Sequence, residues 1–65
     1  MAWDAERVKS ILQSRYKGKN VKDIWYGSGS HIVIVTFKDG SELPIRDVGN
    51  DVSEEKAANL IERAI

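Results

Sequence analysis

The chain reads as a single small α+β domain of order α-β-β-β-α: a three-stranded antiparallel meander with two helices on one face. Three observations carry this expectation. Apolar residues recur at helical spacing near both ends, a β-branched run fills the middle, and the connections between them are short and glycine-containing. Sixty-five residues allow one domain, 1-65, and no second. A chain of this size buries only about 60% of the surface it exposes when unfolded, so its core is thin.

The first helix is expected from Asp4, whose carboxylate can accept from the free N–H groups of the first turn. Glu6 adds favourable charge there, and Trp3 with Val8 matches a hydrophobic staple. Ala5, Val8, Ile11, Leu12 and Tyr16 form the buried stripe, and Gly18 is the expected stop in a left-handed conformation. Arg15 falls inside the apolar arc, where it is expected to snorkel from the core edge.

Strands are expected at Val21–Tyr26, His31–Phe37 and Ser41–Arg46. Gly27-Ser28-Gly29-Ser30 joins the first two. Lys38-Asp39-Gly40 joins the next two as a type I turn closed by a left-handed glycine. Pro44 cannot donate to a ladder, which puts the third strand at an edge. The last helix runs from Ser53, with Glu54 and Glu55 at its positive end and Ala57, Leu60, Ile61 and Ala64 as its stripe. Val52 and Ala57 can form a second staple, and Asp51 is an alternative cap.

Turn lengths assign the faces of the sheet. They pair Phe37 with Ser41, Val35 with Leu43 and Val33 with Ile45; the first loop pairs Tyr26 with His31 and Ile24 with Val33. The core face is then Ile24, Val33, Val35, Phe37, Leu43 and Ile45. Trp25, Ile32, Ile34 and Pro44 share the reverse face, rimmed by Asp23, Thr36, Glu42 and Arg46. With both helices on the core side, that apolar patch is uncovered, which suggests a homodimer or a docking surface for a protein partner. The plainer alternative is that rim side chains and twist shield it, or that one helix crosses over.

Charge is segregated. Arg7, Lys9, Arg15, Lys17, Lys19 and Lys22 are six bases in a stretch without an acid, whereas seven acids oppose three bases from Asp39 onward. The net charge is zero. Arg15, Lys17, Lys19 and Lys22, with Tyr16 among them, are the candidate nucleic-acid contact, where cations would meet phosphates and the ring would stack. The alternative role of these cations is to complement the helix dipole and the acidic last helix.

Catalysis has little to stand on, and no enzymatic role is expected. His31 is the single histidine; it can serve as a base toward Ser28 or Ser30, but no third residue is placed to orient it. Without cysteine there is no disulfide, thiolate site or thiol nucleophile. No metal site, cofactor or small-molecule substrate is implied, since Asp47-Val48-Gly49-Asn50-Asp51 lacks the alternating oxygen ligands of a calcium loop. Gly27-Ser28-Gly29-Ser30 is not a phosphate loop, because it joins two strands and no lysine follows. The longest strongly apolar run, Ile32 to Val35, is far short of the roughly 18 residues of a membrane span. A cytoplasmic location without membrane contact is the expectation.

Gly27-Ser28-Gly29-Ser30-His31 in the first hairpin, and Gly49-Asn50-Asp51-Val52-Ser53-Glu54-Glu55-Lys56-Ala57-Ala58 at the last helix, within an α-β-β-β-α order, resemble the double-stranded RNA-binding domain. The resemblance spans most of the chain and rests on topology and a few residues. It implies RNA contact through His31, which matches the family's Gly-Pro-x-His turn without its proline. The family's phosphate-gripping lysines at the start of the last helix are replaced by Glu54 and Glu55, which reverses the sign of the main binding term.

Overall fold

In the computed structural model, which describes residues 3–27, 29–49 and 51–65, helix α1 (Ala5–Gln13) opens the fold. Asp4 caps it from an extended backbone, accepting from the Glu6 N–H at 2.9 Å. Trp3 is buried before the cap. Its ring stacks on Tyr26 at a centroid distance of 4.5 Å, and its Nε1–H donates to the Gly49 carbonyl at 3.0 Å.

The helix stops well before Gly18. The Ser14 hydroxyl donates to the Ile11 carbonyl at 2.6 Å, and the chain tightens into successive three-residue turns, Arg15 to Leu12 and Gly18 to Arg15. Gly18 does not take the expected left-handed conformation; among the described glycines only Gly40 does. The need for glycine at 18 is space, since a Cβ there would lie 2.2 Å from the Leu12 carbonyl oxygen. Because the helix has already ended, Tyr16 leaves the expected apolar stripe and is 83% exposed.

Strands β1 (Val21–Gly27), β2 (Ile32–Phe37) and β3 (Glu42–Ile45) form one antiparallel sheet in the order β1-β2-β3. The second hairpin matches its expectation. Val35 pairs with Leu43 and Val33 with Ile45, and Gly40 (φ 91°) closes the turn. The first hairpin does not. Tyr26 faces Val33 and Ile24 faces Val35, because His31 is not a strand residue: it takes φ 55° in the left-handed region and ends the loop. Ser28 lies outside the described residues. The register moves by two residues, so every side chain keeps its face. A bulge at Lys22 returns Val21 to the inner face opposite Phe37.

Helix α2 (Glu54–Ala64) is capped by Ser53, whose hydroxyl accepts from the Lys56 N–H at 3.2 Å, in preference to Asp51. The core joins Val8 and Leu12 of α1, Ala57, Ala58 and Ile61 of α2, and the inward sheet residues Ile24, Val33, Val35 and Ile45. Both helices therefore lie on one face of the sheet. Phe37 and Leu43, expected in the core, pack at its margin half-buried. Arg15 is more than an edge residue: it donates to Glu62 at 3.0 Å and to Asn59 at 2.6 Å, tying the end of α1 to α2.

Candidate functional site

The outer face is organised by the register. Trp25, Ile34 and Pro44 are direct cross-strand partners, one from each strand, and form a continuous apolar row. Trp25 is 59% exposed, Pro44 is exposed and Ile34 half-buried. Ile32 sits one row further along, opposite Gly27, and is also half-buried. No helix covers any of the four.

Gly27 belongs to this surface, and sequence reasoning missed it. It lies two residues beyond Trp25 on the same face, and a Cβ there would meet the indole at 2.7 Å. The missing side chain lets the ring lie along the strand instead of standing away from it. The signal was present in the spacing, an aromatic followed two residues later by glycine in a strand.

The next row on the other side is polar: Asp23, Thr36 and Glu42 are cross-strand partners. Asp23 accepts from the Ile24 N–H at 2.9 Å and lies 4.0 Å from Lys9, which is itself paired with Glu6 at 3.0 Å. The hydrogen bond from the Lys9 ammonium to Glu6 raises its pKa above the usual lysine value. Exposed Arg46 follows inward Ile45 at the opposite end of β3. The apolar row is thus flanked by acids on one side and by a base on the other.

Neither edge of the sheet invites strand addition. Gln13 Nε2 donates to the Val21 carbonyl at 2.9 Å, the Lys22 bulge breaks the regular edge of β1, and Pro44 withholds a donor on β3. The face, not the edge, is the free surface.

The basic candidates separate. Arg15 is committed to Glu62 and Asn59, while Lys17, Lys19 and Lys22 are exposed, as is Tyr16. Lys19 Nζ lies 4.9 Å from the Tyr16 ring centroid. The Lys38 N–H donates to the Asn20 carbonyl at 2.9 Å, which brings a further cation to this end of the molecule. His31 is not with them. It sits past the far end of β1, which spans Val21–Gly27, a distance of about 20 Å at strand rise. Its carbonyl accepts from the Val48 N–H at 3.2 Å. Glu54, at the start of α2, accepts from the Asp4 N–H at 3.1 Å and so joins the two helix N-termini.

Among the described residues, no group of three or more histidine, aspartate or glutamate side chains is disposed to hold a metal ion, and no helix is long and apolar enough to cross a membrane. No protein-family model matches the chain, and comparison with curated proteins and with solved structures likewise finds no match.

Proposed function

We propose that this protein is a small non-catalytic interaction module that docks a protein partner through its outer sheet face. The observation that carries this reading is the Trp25–Ile34–Pro44 row, which crosses all three strands with both helices packed on the opposite side. An exposed tryptophan at the end of an apolar row, with its ring reaching to Gly27, has the anchor chemistry of an interface hot spot. Blunted edges leave the face as the route for association.

A photo-crosslinking residue at Ile34 tests this in cells expressing the protein, with the same residue at exposed Lys56 of α2 as control. The reading predicts discrete protein adducts from position 34 that are absent at 56 and lost when Trp25 is also changed to alanine. No protein adduct from position 34 would rule the reading out.

A second reading, nucleic-acid binding, is favoured by one observation: Tyr16 stands exposed with Lys19 over its ring, in a segment that also exposes Lys17 and Lys22 and has Lys38 bonded to Asn20. Arg15 is removed from the contact by its pairing with Glu62. This reading predicts binding to single strands that weakens steeply with salt and falls when Lys17 and Lys19 become glutamate. Equal mobility of free and protein-mixed oligonucleotides at low salt would end it.

A further inference from the structure

The three rows of the outer face carry a polarity that says which partner fits them. Along β3, Glu42 lies at one end and Pro44 near the other, and exposed Arg46 follows the strand directly, which alternation assigns to the outer face. Across the middle row, Trp25, Ile34 and Pro44 are aligned by the register.

Two copies can meet face to face about a two-fold axis in the plane of the interface, and the axis has two simple orientations. If it runs along β2, then β3 of one copy lies over β1 of the other. Glu42 then opposes Asp23, acid on acid, and Arg46 lies over Gly27 with no acid beneath it. If it runs across the strands through the middle row, the row lies on itself and the ends exchange. Each Arg46 then faces the Glu42 of the other copy. Both orientations bury the apolar row, but only the second pairs Arg46 with Glu42 and moves Asp23 away from an opposing acid, setting it over Gly27.

We infer that the partner of the outer face is a second copy of this chain, docked about a two-fold axis across the strands through Trp25, Ile34 and Pro44, with reciprocal Arg46–Glu42 pairs on either side of the axis at its Pro44 end. This rests on the docking reading above and specifies its occupant. Three strands about 4.8 Å apart and three rows about 6.7 Å apart give on the order of 300 Å² per copy. Two such faces amount to about half the lower bound of a standard interface, so the dimer is weak and concentration-dependent.

Sedimentation equilibrium up to about 1 mM, enough to populate even a millimolar complex, is the test. The wild type should move from the 7.3 kDa chain toward twice that mass. Arg46→Glu and Glu42→Arg, each of which turns two attractive contacts repulsive, should each weaken association about tenfold. The double variant carrying both changes should return to within about threefold of wild type, because the pairs re-form with reversed sign. Association that ignores the single changes, or that the double variant fails to restore, overturns this geometry. A wild type that is monomeric throughout overturns self-pairing. In that case protein adducts from position 34 at a mass other than the dimer's leave the docking reading standing, and no adducts at all remove both.

Discussion

Among the described glycines, Gly18 has the closest backbone neighbour, the Leu12 carbonyl. It is buried where the turns after α1 pass over Leu12, and any Cβ would strike backbone, not a side chain that can rotate away. Gly18→Ala is expected to cost about 1–3 kcal/mol as the turn is forced apart. A lower urea midpoint at unchanged slope would show it. His31 has the complementary constraint. Its φ of 55° suits glycine or asparagine and penalises a β-branched residue, so His31→Val should lose about 1–2 kcal/mol and His31→Asn almost nothing. Equal losses for both would mean that the imidazole, and not the backbone, matters there. Asp39 carries a pH signature. The Ser41 hydroxyl at 2.7 Å and its N–H at 2.9 Å hold the carboxyl below its usual pKa. A depressed folded-state value means a contribution that is full above the usual aspartate range and lost as pH falls through the lowered value. Asp39→Asn should therefore flatten that part of the acid-stability curve while leaving the neutral-pH fold intact.

Between elements, the Arg15 contact joins α1 to α2 at partly exposed positions, 27% for each side chain of the ion pair. A double-mutant cycle of Arg15→Ala and Glu62→Ala should yield a coupling of about 0.5–1 kcal/mol that shrinks with added salt. Additive losses would show that the Arg15–Glu62 pair contributes nothing to holding the two helices together. The same arginine shows how far local pattern reaches. Its place in the apolar arc was visible in the sequence, but its partner sits 47 positions away and no periodicity reports it. Caps at Asp4 and Ser53, the strand periods and the Gly40 turn were legible because each is decided within a few residues. The end of α1 was not, since Ser14 competing for the Ile11 carbonyl and Gly18 meeting Leu12 are matters of three-dimensional fit. Nor was the first register, which depends on one residue, His31, adopting a conformation that its neighbours in sequence do not dictate.

At the scale of the whole molecule, a thin fold spends all its covering elements on one side of its sheet. α1 and α2 supply Val8, Leu12, Ala57, Ala58 and Ile61 to the inner face, and the outer face keeps the apolar row that strand alternation assigns to it. That division was readable from turn lengths even though one of the two registers was not, because the error was an even number of residues. Binding through the face and folding through the core are then separable properties. The most direct check is the unfolding free energy of Trp25→Thr at micromolar concentration, where any weak self-association is absent. A face free of folding duty predicts a change of no more than about 1 kcal/mol, the span of strand preferences. A loss of about 3–5 kcal/mol, as for a large aromatic taken from a packed interior, would place Trp25 in the core and contradict the account.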